Sequence, residues 1–246
     1  MTIPRHKVFI SFQHGCDDEN KPCGTKYIQN QNTIFGLPSY PLINFVSCQG
    51  YCGRNKINPL LVGSKCKNFD ICGHYWKERF EYLFSLQVDG FVSKAVSDGD
   101  IGDGLKTDTI RGKIRDEFIS DATVTVVLIG PKTWSRKHVD WEISSSIRAT
   151  KNNPRCGLLG IFLPTYPLTL DDKGIRRIFD PHTIPPRLYD NWKNQDQRFA
   201  NLYIWSEDPT TVQGWIHQAF QDRDVLNPDN SFPSFKNNRS GDQWYE

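Results

Sequence analysis

The run Thr123-Val124-Thr125-Val126-Val127-Leu128-Ile129-Gly130-Pro131 decides the fold. It is short, rich in β-branched residues and free of polar alternation, the pattern of a strand covered on both faces, and Gly-Pro stops it. It leads into Thr133-Trp134-Ser135-Arg136-Lys137-His138-Val139-Asp140-Trp141-Glu142-Ile143. Val139, Ile143 and Ile147 recur at i, i+4 and i+8 and predict the apolar stripe of a helix. Trp134, His138 and Glu142 recur at the same spacing on a neighbouring stripe, which sets the acid at the edge of the packed face. Where a strand of an open parallel sheet turns into a helix, the helix start lies beside the crevice in which ligands bind. Glu142 is therefore the first candidate for chemistry, against the bland alternative of a solvated charge pairing with Arg136 or Arg148.

Working outward, apolar segments alternate with amphipathic ones. Lys7 to Phe12 reads as a first strand, and Tyr75 to Leu86 as a helix with Trp76, Phe80, Leu83 and Phe84 on one face. Gly90 to Val96 reads as a strand, and Asp108 to Ile119 as a helix with Ile110, Ile114 and Phe118 inward and Thr107 or Asp108 as its cap. Gly157 to Leu163 and Ala200 to Trp205 follow as strands, and Thr210 to Gln221 as a last helix with Val212, Trp215, Ile216 and Ala219 inward. Such alternation implies an α/β fold, specifically a flavodoxin-like doubly wound parallel sheet. Pro164 to Phe199 reads as loop, since Pro181, Pro185 and Pro186 interrupt any regular element, and the polar tail 227–246 reads as loosely ordered. The expected organisation is one domain over 1–226, interrupted after the first strand by a Cys-rich insertion at about 15–74.

The chain has 246 residues, a formal charge of +2 and no clustered basic stripe, which argues against a nucleic-acid or membrane surface. No apolar run approaches the roughly 20 residues of a membrane helix, and Arg5-His6-Lys7 before a brief strand does not resemble a secretion signal. A cytoplasmic protein is expected. Seven cysteines, an odd number in a chain of this size, do not describe a disulfide framework. Cys48, Cys52, Cys66 and Cys72, with Cys23 and His74 nearby, offer a candidate structural-zinc set; the spacings are not paired Cys-x2-Cys knuckles, and reduced, partly buried thiols are the alternative. The acidic, glycine-rich stretch Ser97 to Asp108 fails as a calcium loop, because Gly102 and Thr109 stand where oxygen ligands belong.

Taken in order, Lys7-Val8-Phe9-Ile10-Ser11-Phe12, Ser97-Asp98-Gly99-Asp100-Ile101, Val127-Leu128-Ile129-Gly130, Arg136 to Glu142 and Ile184-Pro185-Pro186-Arg187-Leu188-Tyr189-Asp190-Asn191 resemble the TIR-like family of the bacterial Thoeris antiphage-defence systems. The resemblance implies a Toll/interleukin-1-receptor fold that cleaves NAD+ at the nicotinamide–ribose bond, as an NAD+ glycohydrolase or ADP-ribosyl cyclase. It implies a cyclic ADP-ribose isomer or other ADP-ribosyl nucleotide that activates a separate effector, and as further candidate partners a phage-derived trigger and a second copy of the chain. NAD+ is then a substrate, and no cofactor is required. The family's catalytic glutamate, in a Trp-x-x-x-Glu pattern, matches Glu142, although His138 stands at the tryptophan position. The resemblance makes the segment with Asp98 and Asp100 the loop that helps close the site.

The chemistry favours the same acid. Loss of nicotinamide builds oxocarbenium character on the ribose, which a carboxylate stabilises. Phe12 and Trp134 are candidates to wall the site, with core packing as the alternative, and Ser11, Gln13 and His138 are candidate polar contacts. Two other classes compete. A TIR-type scaffold needs no acid in the cleft. A phospho-acceptor receiver needs acidic residues after the first strand, where Phe12-Gln13-His14 stands.

Overall fold

The computed structural model describes residues 3–13, 73–92, 106–170, 174 and 177–245. Five parallel strands form the sheet: β1 (Val8–Ser11), β2 (Phe91–Val92), β3 (Val124–Ile129), β4 (Gly157–Phe162) and β7 (Ala200–Ile204), in the order β2-β1-β3-β4-β7. This is the flavodoxin-like order expected from the alternation, with the reversal of strand direction of travel at β1. Register is set by Val8 opposite Val124 and Ser11 opposite Val127, then Val124 opposite Gly157 through Ile129 opposite Phe162. The described part of the second predicted strand is Phe91–Val92.

Alternation along each strand divides the core into two layers. Val8, Ile10, Val126, Leu128 and Ile161 pack against α1 (Gly73–Phe84) and α5 (Pro209–Val225) through Phe80, Phe84, Val212 and Ile216. Val127, Ile129, Leu158 and Phe162 meet Val139, Ile143 and Ile147 of α3 (Lys137–Ser146) and Leu188 of α4 (Pro186–Lys193). The stripe that predicted α3 is thus its packed face. Glycine lets α5 sit directly on β4, since a Cβ at Gly157 would lie 2.0 Å from the Ala219 carbonyl oxygen. The chain leaves β1 at Gln13 and returns at Gly73 with the two backbones touching, a Cβ at Gly73 falling 2.1 Å from Gln13 O. The expected Cys-rich insertion between them, including Cys48, Cys52, Cys66 and Cys72, lies outside the described residues, as do Asp98 and Asp100.

Several expectations are corrected. The helix α2 (Thr107–Lys113) has its N-cap at Lys106, with no side-chain cap bond, one residue before the earlier of the two expected cap positions. It runs into a wider π turn, Ile114–Phe118, where Ile119 N donates to Ile114 O. Pro186 does not interrupt an element; it begins α4, because proline lacks the N–H that a first helical turn leaves unpaired and its φ is already helical. A small antiparallel pair, β5 (Thr169–Leu170) with β6 (Arg177–Ile178), also occupies the stretch read as loop. The helix α5 extends to Val225 and is capped by Asp208, which accepts from Thr211 N at 2.8 Å.

The polar tail is the largest correction. Phe235 and Trp244 are buried, and the segment crosses α3 and α4 through specific bonds. Trp141 Nε1 donates to Phe235 O at 2.8 Å, Asn230 Nδ2 to Ser144 O at 2.9 Å, Arg239 N to Ser135 O at 2.8 Å and Trp244 Nε1 to Ile184 O at 2.7 Å. Its polarity misleads because the tail packs through side-chain and backbone hydrogen bonds rather than an apolar stripe. At the amino end of the sheet, His6 Nε2 and His217 Nδ1 lie 2.9 Å apart, and the His6 ring stacks on Phe220 at 4.1 Å.

Candidate active site

The site begins where β1 ends. Side chains alternate along β1, so Val8 and Ile10 go to the α1/α5 layer while Ser11 turns towards α3. There Ser11 Oγ donates to Glu142 Oε2 at 2.7 Å, and both residues are fully buried. The two are 131 positions apart in the chain and meet beside β3, the side of β1 at which the strand order reverses. In such sheets that reversal opens the ligand crevice at the carboxyl ends of the strands. A short bond from a hydroxyl to a buried carboxylate oxygen is charge-assisted and favours the ionised acid.

Glu142 sits closer to the core than the edge position expected from periodicity, with no solvent exposure. The alternative of a surface pair with Arg148 does not hold, because Arg148 Nη1 bonds Asp108 Oδ1 at 2.7 Å. Three small residues follow the acid closely on α3. Ser144, Ser145 and Ser146 are buried and return their hydroxyls to carbonyls of their own helix, Trp141 O for the first two and Ile143 O for the third.

The other sequence-predicted residues spread around this pair. Phe12 is buried in the α1/α5 layer, on the face away from α3. Gln13 is buried where the chain meets Gly73. Trp134 is 1 % exposed but does not continue the stripe of His138 and Glu142. It lies in a separate 3-10 turn, Thr133–Ser135, because Arg136 is extended at φ −89° and ψ 120° before α3 starts. Within that turn Thr133 Oγ1 accepts from Gly130 N at 2.8 Å and Ser135 Oγ donates to Lys132 O at 2.9 Å, while the buried Trp134 Nε1 meets no acceptor among the described residues. His138 is half-buried, its ring edge-on to Trp141 at 5.6 Å.

A buried ion pair beside the site was missed. Arg187 Nε meets Asp140 Oδ1 at 3.1 Å with both side chains inaccessible, and Arg187 also donates to Asn230 Oδ1 at 2.7 Å and Phe232 O at 2.6 Å. Asp140 Oδ2 accepts from Phe235 N at 3.0 Å. Asn191 joins in, bonding Asp229 through both its amide nitrogen and oxygen. The signal was present in the Pro-Pro-Arg-Leu-Tyr-Asp-Asn motif, whose arginine and asparagine hold the tail against α3 and α4. Burial beside Arg187 lowers the Arg111 guanidinium from its ordinary value, and Arg111 Nη2 bonds Ser234 Oγ at 2.7 Å.

Other groups lie elsewhere. A cleft of about 350 Å³ lined by Lys7, Asp89, Phe91, Glu117 and Phe118 opens at the amino end of β1, the end away from Ser11. The Cys156 thiol is fully buried, which raises it from its ordinary value and leaves it a packing group. No group of three or more metal-ligating side chains occurs among the described residues, and no described helix is long and apolar enough to cross a membrane.

A five-stranded parallel sheet in this order, with a buried acid on the helix after β3 facing the end of β1, is consistent with a TIR-like α/β fold. Residues 77–166 match the family described as Thoeris protein ThsB, TIR-like domain. The match includes Glu142 and runs from α1 to the turn after β4. No curated protein and no solved structure matches the chain.

Proposed function

We propose that this protein acts in antiphage defence by cleaving NAD+ at the nicotinamide–ribose bond and releasing an ADP-ribosyl signalling nucleotide. The observation that carries the reading is Glu142, a buried carboxylate bonded to Ser11 at the switch point of the sheet, inside the segment that matches the Thoeris family.

The chemistry asks little of the protein beyond this group. The bond between ribose C1′ and the pyridinium nitrogen breaks, and nicotinamide leaves with the electron pair as a neutral molecule, so no general acid is needed. The positive charge left on the ribose is stabilised by the Glu142 carboxylate, which acts most strongly where water is excluded. Capture of C1′ by water gives ADP-ribose. Capture by a nucleophile within the same molecule gives a cyclic isomer lighter by one water.

Glu142 and Ser11 are fully buried in this structure. This enclosure favours a second reading, a scaffold in which the acid is a core group. Incubation of purified protein with NAD+, beside Glu142→Gln, separates the two by nicotinamide release and product mass. Release from wild type and its loss by about a hundred- to a thousandfold in the variant are expected, since one electrostatic stabiliser is worth roughly that much. A folded Glu142→Gln protein with wild-type turnover rejects the assignment.

A further inference from the structure

The geometry points to Ser11 as a positioning residue, one that holds the Glu142 carboxylate ionised and oriented instead of touching NAD+ itself. The inference rests on the reading of Glu142 as the catalytic acid. Ser11 Oγ lies 2.7 Å from Glu142 Oε2, and neither residue is reached by solvent. Burial alone penalises a charged carboxylate, and a hydrogen bond donated to it opposes that penalty. The donor is well placed to do so. Ser11 is clamped in the sheet opposite Val127, and its short side chain has one torsion to fix, so the hydroxyl meets Oε2 with little entropic cost.

Several charged groups on the described elements around this pair have partners of their own. On α3 Asp140 holds Arg187 and Phe235 N; on α2 Asp108 holds Arg148 and Arg111 holds Ser234. In the π turn Arg115 donates to the carbonyls of Pro154, Ile119 and Ala122, and Asp116 accepts from Thr150 and Asn153. On α4 Asp190 holds Lys193. His138 stands on α3 one turn before Glu142.

The test compares Ser11→Ala and Ser11→Cys with wild type on the full-length protein. A positioning role predicts that kcat in Ser11→Ala falls about ten- to a hundredfold at neutral pH with KM within about threefold, and that the acid limb of the rate profile moves up by about one pH unit. Ser11→Cys, isosteric with a weaker donor, falls between. To separate the glutamate from His138 and from turnover, infrared difference spectra follow the Glu142 carboxyl band, identified by its absence in Glu142→Gln. Its protonation midpoint in Ser11→Ala is expected about one pH unit above wild type. A rise in KM with an unmoved carboxyl band makes Ser11 a substrate contact and overturns the proposal. A fall in thermal stability with neither band nor profile moved makes it a packing residue and also overturns it. Wild-type protein without NAD+ cleavage refutes the proposed reaction, whereas the band shift still decides what Ser11 does to Glu142.

Discussion

Replacing Arg187 by alanine should release the C-terminal tail and cost much of the protein's stability. Arg187 and Asp140 are 0 % and 2 % exposed, and the guanidinium makes bonds of 3.1 Å to Asp140, 2.7 Å to Asn230 Oδ1 and 2.6 Å to Phe232 O. Truncation leaves the Asp140 carboxylate in the interior with Phe235 N as its remaining partner in this network. Breaking a buried pair from one side costs about 3–5 kcal/mol, because the surviving charge loses its compensation without regaining water. Domains of this kind are stable by about 5–15 kcal/mol, so the loss is at least about a fifth of the total. Urea unfolding measures it. Limited trypsin digestion reads the tail, since Lys236 and Arg239 lie within it and Arg239 is held at Ser135 and against the Phe235 ring at 4.0 Å. Cleavage at both sites should appear in Arg187→Ala well before the core is cut. The double variant Asp140→Leu with Arg187→Met should recover part of the loss, because no buried charge is left unpaired, although Phe235 N and Phe232 O still lose their partners. A single-variant cost below about 1 kcal/mol, or a tail that stays protected, would refute the idea that this pair fastens the tail.

Two more outcomes follow from buried groups outside the Ser11–Glu142 pair. Burial, then the neighbouring His217 and Arg223, lowers His6 from 6.5 to about 4. The unfolded chain therefore binds the proton first, and the contribution of neutral His6 is present in full above about pH 6.5 and lost as pH falls through about 4. Urea midpoints measured across that window should drop with acid in wild type and drop less in His6→Phe; parallel profiles would contradict this. Trp134→Phe removes a buried donor that has no acceptor among the described residues, and relief of that penalty offsets the volume lost, so stability should change by less than about 1 kcal/mol. A loss above about 3 kcal/mol in a denaturation curve would mean the indole N–H is well bonded in solution.

The elements that were legible in the chain are those whose signal is local. Val124 to Ile129 is a covered strand because β-branched apolar residues suit that backbone and both faces need burying, and α3 shows itself in Val139, Ile143 and Ile147 because a helix packs one side. The strand order followed from their alternation. Trp134 misled because spacing alone does not reveal that Arg136 is extended, which separates the 3-10 turn from the helix. Pro186 misled because proline ends a helix in its interior and begins one at its first turn, and only neighbouring structure says which.

By itself, then, the sequence determined the α/β class, the sheet order and the position of an acid on the helix after β3, since propensity and periodicity act within a few residues. Tertiary structure decided what that acid meets. Ser11 reaches Glu142 across 131 positions, and Arg187 joins Asp140 to a tail that composition alone describes as loose. Neither contact leaves a periodic trace, because a hydrogen bond between distant segments depends on the packing of the sheet and helices that carry them.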